Sequence, residues 1–170
     1  MEYLILVDEK DNQLGLMEKM EAHEKGLLHR AFSVFLFNSK GEMLIHQRAI
    51  SKYHSGGLWT NACCSHPRDQ EKTIDAAHRR LEEEMGFDCE IKEVFHFTYK
   101  SALDNGLTEH ELDHVFIGEY EGEINPNPDE VESYKYISVT ELVKDVAKNP
   151  QLYTEWFKIC LEEVLKRLDL

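Results

Sequence analysis

The chain has 170 residues, of which 19 are Lys or Arg and 33 are Asp or Glu, so its formal net charge is −14. Hydrophobic residues make up 42% and charged residues 31%, which is typical of a folded globular protein and excludes a disordered chain. The negative charge argues against general binding to nucleic acid or to an anionic membrane, because their phosphates repel such a surface. An anionic small-molecule substrate is compatible with this charge if its site carries cations or a metal.

The apolar run near the N-terminus is too short for a signal peptide, and no stretch approaches the roughly 20 apolar residues of a membrane span. The four cysteines have no spacing typical of a disulfide framework, so we expect reduced thiols in the cytoplasm. No repeat, low-complexity tract or flexible linker divides the chain. We therefore expect a single domain over residues 1–170, as a monomer or a weak homodimer.

The first third of the chain contains patterns typical of strands and turns. Tyr3–Val7 predicts a strand, and the polar segment Asp8–Asn12 predicts a turn after it. Ala31–Phe37 and Glu42–Gln47 are two strand-like runs around a short segment with Gly, which predicts a β-hairpin. A loop with two glycines, Ser51–Leu58, follows the second run.

The pattern becomes helical over Thr73–Met85. Apolar residues there recur at i, i+3, i+7 and i+11, namely Ile74, Ala77, Leu81 and Met85. Thr73 is the expected N-cap and Gly86 the expected residue after the last turn, so both ends of this helix are marked.

The second half of the chain predicts three more strands and two helices. The strands are expected at Glu90–Lys100, Glu109–Glu119 and Glu132–Ile137, and the helices at Val139–Lys148 and Gln151–Leu168. The last helix has a stripe of residues spaced four apart that we expect to be buried: Leu152, Trp156, Cys160, Val164 and Leu168. Helices before and after strands indicate an α/β or α+β fold with a mixed sheet.

Two short segments carry side chains suited to catalysis or metal binding. Glu109 and Glu111 lie two apart in a predicted strand, so they share one face, where their charges repel unless a cation lies between them. Cys64 and His66 share a face in the same way if their segment is extended. Each pair alone is also compatible with an ordinary role, as a solvated edge strand or as a small buried residue beside a surface imidazole.

Nine histidines in the chain prompt a search for a metal site. His23 and His29 are six apart, on opposite sides of any helix, and they meet only if a loop leads into the strand after Arg30. With His66, Glu109 and Glu111 they would form a mixed nitrogen and oxygen set suited to Mn²⁺ or a high-coordinate Zn²⁺. Spacing alone leaves open whether these side chains meet, because each histidine also fits a surface or capping position.

The segment around the predicted helix has a more specific pattern. Residues 65–87 read Ser-x5-Glu71-x7-Arg79-Arg80-Leu-x-Glu-Glu84-x-Gly-Phe. This resembles the Nudix box, Gly-x5-Glu-x7-Arg-Glu-U-x-Glu-Glu-x-Gly-U with U apolar, with Ser65 in place of the first Gly and Arg80 in place of a Glu. A surface helix with i,i+4 ion pairs explains the charges but not this spacing.

With both departures and the segment Thr60-Asn61-Ala62-Cys63-Cys64-Ser65-His66-Pro67, the chain resembles the type I isopentenyl-diphosphate isomerases, a non-hydrolysing branch of the Nudix fold. Their signature is Thr-Asn-x-x-Cys-x-His-Pro, which places Cys64, not Cys63, in the catalytic position. The resemblance also covers residues 22–23, 28–33, 48–52, 97–99, 109–111 and Trp156. It implies a Nudix-like α/β/α sandwich with a mixed sheet, and an enzyme of isoprenoid biosynthesis that interconverts isopentenyl and dimethylallyl diphosphate.

The same resemblance implies two metal sites and a diphosphate-binding site. The ligands of one Mn²⁺ or Zn²⁺ would be His23, His29, His66, Glu109 and Glu111. Glu84 would help to hold a Mg²⁺ that arrives with the substrate diphosphate. The cations expected to bind that diphosphate are Lys19, Arg48, Lys52 and Arg80, although a solvated surface role is also open for the first three.

Moving a terminal double bond inward requires an acid and a base on opposite faces of the alkene. The resemblance assigns this pair to Cys64 and Glu111, with Tyr99 hydrogen-bonded to the carboxyl. Trp156 would stabilise the carbocation with its ring face, or else it only fills the core stripe of the last helix. The alternatives are a Nudix diphosphate hydrolase, which Arg80 argues against, a thiol redox protein using Cys63 and Cys64, and a non-catalytic metal-binding domain.

Overall fold

The computed structural model describes residues 1–170 as nine strands, four α-helices and two short 3₁₀ helices. The strands are β1 (Tyr3–Val7), β2 (Gln13–Glu18), β3 (His29–Phe37), β4 (Met43–Arg48), β5 (Trp59–Thr60), β6 (Cys63–Ser65), β7 (Ile91–Ala102), β8 (Thr108–Glu119) and β9 (Val131–Ile137). The α-helices are α1 (Lys19–Lys25), α2 (Thr73–Met85), α3 (Val139–Lys148) and α4 (Glu155–Arg167). The 3₁₀ helices are Asp104–Gly106 and Pro150–Leu152.

All nine strands belong to one mixed sheet with β3 at its centre. One edge of β3 pairs in parallel with β8 along its whole length, from His29–Glu111 to Phe37–Glu119. The other edge is shared in succession by β1, β6 and β4. Strand β7 extends the sheet beyond β8, and β9 pairs with β4. Because β3 and β8 run parallel, their first residues meet at the same end of the sheet, and the candidate functional residues lie there.

Helices cover both faces of the sheet, as the alternation of side chains along β3 and β4 requires. Phe32, Val34 and Leu36 pack on one face with the apolar side of α2. Phe35, Met43 and Ile45 point to the other face and pack against α4, with Trp156, Phe157 and Cys160 among its buried residues. The fold is therefore the expected Nudix-like sandwich, with a mixed sheet between helical layers.

The predicted hairpin of β3 and β4 forms only at its turn. Phe37 and Met43 form the one residue pair between β3 and β4, because Phe32–Val34 of β3 pair with β6 instead. The sequence between β3 and β4 indicates the turn correctly. It carries no information on which strand pairs with the remaining residues of that edge of β3.

One predicted helix cap and one predicted helix start are wrong. The N-cap of α2 is Lys72, which makes no side-chain cap, and Thr73 is already helical. Helix α4 begins at Glu155 and not at Gln151, because Thr154 is extended and its hydroxyl accepts the Phe157 N–H, which caps the helix there. Leu152, the first residue of the predicted stripe, therefore precedes the helix and is 45% exposed. Leu168, the last residue of the stripe, is the C-cap that follows Arg167.

Gly86 does end α2, in the left-handed region at φ 75°, where a Cβ would lie 2.1 Å from the Asn125 carbonyl oxygen.

Strand β2 and helix α1 are absent from the prediction. None of the four helices is long and apolar enough to cross a membrane.

Candidate active site

A cavity of about 60 Å³ opens at the end of the sheet where β3 and β8 begin. It is bounded by side chains from α1, β4, β6, α2, β8, α4 and the loop after β4. The predicted site residues that line it are Lys19, Arg48, Lys52, Cys64, His66, Arg80, Glu84, Glu109, Glu111 and Trp156. The other three, His23, His29 and Tyr99, lie behind this wall and contact its carboxylates.

Three imidazoles converge on the carboxylates of β8. His23 reaches them from α1, His29 from the start of β3, and His66 from the residue after β6. The Nδ1 atoms of His23 and His29 donate to the backbone carbonyls of Lys19 and Leu27, at 2.7 and 2.9 Å. A carbonyl only accepts, so these bonds fix the proton on Nδ1 and turn both Nε2 atoms towards the cluster. Metal-binding histidines are commonly held in this way.

The two carboxylates share one face of β8, as their spacing predicts, and both are buried. Glu109 Oε1 lies 3.1 Å from His23 Nε2, and Glu111 Oε2 lies 3.2 and 2.9 Å from the Nε2 atoms of His29 and His66. The Tyr99 hydroxyl, opposite Glu111 in the β7–β8 register, donates to the other carboxylate oxygen of Glu111.

The charges in this cluster favour a bound cation. Burial and the neighbouring Glu111 charge raise the pKa of Glu109 to about 7. Burial opposes ionisation of Glu111 as well, but the hydrogen bonds from His29 and His66 outweigh it and hold the pKa of Glu111 well below its usual value. Two close carboxylates thus ionise together only when positive charge lies beside them.

The donor atoms fit a metal ion. One ligand atom each from His23, His29, His66 and Glu109 lies within 4.8 Å of all the others. Glu109 Oε2 is buried without a hydrogen-bond partner, which leaves it free to bind a cation. Burial lowers the pKa of His66 to about 4, so this imidazole is neutral near pH 7, as a ligand must be. Glu111 lies beside this group, in contact with two of its histidines.

Cys64 and not Cys63 lines the cavity. Successive residues of β6 point to opposite faces, so Cys63 packs against α2 in the core while Cys64 faces the α4 side. The Cys64 thiol donates to Asn61 Oδ1 at 2.9 Å and lies 3.5 Å from Ser33 Oγ. Burial, with the nearby Asp113 charge, raises the pKa of Cys64, so the group is a thiol near neutral pH.

Four cations surround the cavity, and three of them are paired with carboxylates. Lys19 contacts Glu2 at 3.1 Å, Lys52 contacts Glu130 at 2.7 Å, and Arg80 bridges Glu83 and Glu84. The fourth, Arg48, has no carboxylate partner, and its Nη2 donates to the His54 carbonyl at 3.2 Å. Arg48 is thus the cation most available to an anion.

Trp156 lies in the wall of the cavity and is 5% exposed. The Arg48 guanidinium carbon is 5.0 Å from its ring centroid, and the His54 ring meets it edge-on at 5.5 Å. Its indole N–H is buried without a partner. Trp156 therefore packs in the core and borders the cavity at once, so the two predicted roles do not exclude each other.

Several residues of the site were not predicted. His54 is buried, with Nε2 3.9 Å from Glu109 Oε1, and burial together with Arg48 lowers its pKa to about 3. Asn61 binds the Cys64 thiol, and its place in the Thr-Asn-x-x-Cys signature was an available signal. Glu130 and Tyr53 contact Lys52 and Lys19, respectively, and no local pattern in the sequence indicates either of them.

The chain is similar in sequence to known proteins of one family. Residues 27–157 match the NUDIX domain family. Isopentenyl-diphosphate Delta-isomerase 2 of Aromatoleum aromaticum is 52% identical over 162 residues, which cover 95% of this chain and 86% of the relative. Isopentenyl-diphosphate Delta-isomerase of Pectobacterium atrosepticum is 51% identical over 161 residues, with 95% and 90% covered.

Solved structures of Nudix proteins share the fold at low sequence identity. DR0079 of Deinococcus radiodurans superposes with a TM-score of 0.72 at 18% identity, covering 87% of this chain and 90% of that one. The MutT protein of Methanosarcina mazei gives a TM-score of 0.64 at 17% identity, with 80% and 91% covered. These two likenesses concern the fold alone.

Proposed function

The chain belongs to the Nudix family and, within it, to the isopentenyl-diphosphate Delta-isomerases, and we propose that it interconverts isopentenyl diphosphate and dimethylallyl diphosphate. One observation carries the proposal. Cys64 and Glu111, a thiol and a carboxyl, line the same buried cavity, and cationic side chains surround it. A proton donor and acceptor pair beside an anion-binding rim suits an alkene that is attached to a diphosphate.

The reaction adds a proton to the terminal alkene carbon and removes one from the methylene on the other side of the double bond. The intermediate is a tertiary carbocation on the substrate. Cys64 and Glu111 serve as the acid and base, and their roles exchange when the reaction runs in reverse. The raised pKa of Cys64 keeps its proton on the sulfur until the substrate is in place.

Tyr99 and Trp156 support this pair. The Tyr99 hydroxyl donates to one carboxylate oxygen of Glu111 and fixes its position. The other carboxylate oxygen lies beside the histidines, which orient it. The face of the Trp156 ring stabilises positive charge in the cavity by about 2 kcal/mol when water is excluded.

The diphosphate supplies the binding energy that holds the uncharged alkene. Lys19, Arg48, Lys52 and Arg80 are the proposed cations, and Arg48 is available without breaking an ion pair. Glu84, buried at the same side of the cavity, is the proposed protein ligand of a Mg²⁺ that enters with the diphosphate.

The cluster of His23, His29, His66, Glu109 and Glu111 is the proposed site of Mn²⁺ or Zn²⁺, since mixed imidazole and carboxylate donors suit either ion. A divalent ion bound there supplies the positive charge that two adjacent carboxylates need to ionise together. The histidines then hold the Glu111 carboxylate in a fixed direction towards the cavity. We further propose that the enzyme acts in the cytoplasm, where its four free cysteines stay reduced.

Incubation with isopentenyl diphosphate and Mg²⁺, followed by ¹H and ³¹P NMR, tests the proposal. Dimethylallyl diphosphate without released phosphate is the expected result, and a Cys64→Ala sample prepared in parallel excludes a contaminating isomerase. Phosphate or pyrophosphate without isomer would establish hydrolysis and overturn the proposal. Prior chelation with EDTA should abolish turnover, and Mn²⁺ or Zn²⁺ with Mg²⁺ should restore it.

A further inference from the structure

Strand β8 carries a third buried carboxyl that the proposed reaction does not use. Glu109, Glu111 and Asp113 are two apart in sequence and therefore point to the same face of the strand. Asp113 is 1% exposed and lies one position deeper in the sheet than Glu111, away from the cavity. A buried carboxyl is costly to retain, so its contacts indicate what it does.

Asp113 receives hydrogen bonds from two side chains on one oxygen. The Ser33 hydroxyl donates to Asp113 Oδ2 at 2.8 Å, and the Cys160 thiol of α4 donates to the same atom at 3.2 Å. Ser33 belongs to β3, between β8 and β6, and its cross-strand partner in β6 is Cys64. A chain of polar contacts thus runs from Asp113 through Ser33 to the thiol that lines the cavity.

Counting protons fixes the direction of these contacts. A serine hydroxyl has one proton, and Ser33 gives it to Asp113 at the shorter distance. Ser33 Oγ therefore presents a lone pair to Cys64 Sγ, 3.5 Å away. The Cys64 proton therefore has two acceptors, Asn61 Oδ1 at 2.9 Å and Ser33 Oγ at 3.5 Å. Without an acceptor at Asp113, the Ser33 hydroxyl can turn its proton towards the sulfur, and the thiol loses its second acceptor.

We propose that Asp113 is a positioning residue for Cys64, acting through the Ser33 hydroxyl, in the isomerase reaction proposed above. Asn61 and Ser33 hold the sulfur from two sides, and Asp113 keeps Ser33 in the orientation that does so. Proton transfer to or from carbon depends steeply on geometry, and a displacement of about 1 Å is enough to cost about 100-fold in rate. Asp113, Ser33 and Asn61 do not line the cavity that the four proposed diphosphate-binding cations surround, so we expect substrate binding not to depend on them.

Steady-state kinetics of three single variants test the proposal. Ser33→Ala deletes the bridging oxygen, and Asp113→Leu deletes the acceptor while keeping the number and branching of the side-chain heavy atoms. Both should lower kcat by about tenfold or more and leave KM within about twofold of wild type. Asp113→Asn keeps a carbonyl acceptor for Ser33 and should retain more than half of the activity. Cys160→Ala removes the other partner of Asp113 and a longer contact of 4.0 Å to Ser33 Oγ, but it leaves Ser33 bonded to Asp113; it is the matched control and should leave kcat within about twofold.

The double variant Ser33→Ala with Asp113→Leu should be no slower than the slower single variant, because both changes break one chain of contacts. A kcat of Ser33→Ala within twofold of wild type, a loss that falls on KM, or a double variant with multiplied losses would each overturn the proposal. If Asp113→Leu fails to fold, Ser33→Ala and Asp113→Asn decide the matter alone. An inactive wild type refutes the proposed function, whereas an active wild type with an unaffected Ser33→Ala refutes this inference only.

Discussion

His46 makes the stability of the strands that support the site dependent on pH. It is buried on β4, and its Nδ1 donates to the Ala62 carbonyl at 3.1 Å, which ties β4 to the segment that precedes Cys64. Burial, reinforced by the Arg48 charge, lowers the pKa of His46 from 6.5 to about 4. The imidazole is therefore neutral in the folded protein at neutral pH, and it gains a proton on unfolding once the pH falls below its unfolded value.

The sign and size of the effect follow from this difference. Between the two pKa values the unfolded chain binds more protons than the folded chain, so the free energy of unfolding decreases as the pH falls. A difference of about 2.5 units, at about 1.4 kcal/mol per unit, gives a total of about 3 kcal/mol, of which about 2 kcal/mol is lost between pH 7 and pH 4.5. For a small domain this is a large share of the total stability.

Urea unfolding of wild type and His46→Gln across that pH range measures the effect. The variant lacks the titrating group, so its free energy of unfolding should decrease with acid by about 2 kcal/mol less than that of wild type. His96→Gln, which replaces an exposed imidazole on β7, is the matched control and should follow wild type. Parallel pH profiles for wild type and His46→Gln would refute the assigned role of the buried imidazole.

Three further predictions concern catalysis. Cys64→Ala should lower turnover by about 10²–10⁴-fold while Cys63→Ala, changed on the opposite face of β6, stays active; the reverse pattern would exchange their roles. In Glu111→Gln, the turnover rate should fall by a larger factor than the content of bound metal, because the other metal ligands remain. Full activity of this variant in a kinetic assay would remove Glu111 from the mechanism. Arg48→Gln should raise KM about tenfold or more, since a charged hydrogen bond is worth about 1.5–3 kcal/mol, and an unchanged KM would show that Arg48 does not bind the diphosphate.

Elements with a strong local period were predictable from the sequence. Helix α2 has apolar residues at helical spacing and a glycine in the left-handed region at its end, and its predicted residues match. The strand pattern of Ala31–Phe37 also corresponds to β3, apart from the first two residues. The apolar residues of α2 recur at helical spacing, and β3 is a nearly continuous apolar run that is buried on both faces, so in both cases neighbours along the chain are enough.

Strand β2 and helix α1 could not be predicted in the same way. Strand β2 lies at the edge of the sheet, leaves Leu14 and Leu16 exposed and has Gly15 between them, so burial imposes no clear strand pattern on its sequence. Helix α1 has only seven residues, of which Ala22 and His23 are buried. His23 was therefore recognised as a metal ligand only through family resemblance, although its helix places it directly against Glu109.

The assembly of the site depends on pairings that local spacing does not encode. The parallel register of β3 and β8 brings His29 beside Glu111, 82 residues apart in the chain. The same register puts Asp113 near Ser33, and no local spacing relates the two residues, which are 80 apart in the chain. Family resemblance identified the residues of the predicted site. The strand pairing in the sheet determines which of these residues contact one another.

The most direct test of the central claim is ¹H NMR of the reaction in D₂O with isopentenyl diphosphate, Mg²⁺ and the metal-loaded enzyme. Transfer of solvent-derived protons through Cys64 and Glu111 predicts dimethylallyl diphosphate with deuterium in a methyl group, and no such product from Cys64→Ala or Glu111→Gln. Isomer that contains no deuterium, or an undiminished rate in either variant, would contradict the account of a proton addition and removal by this pair.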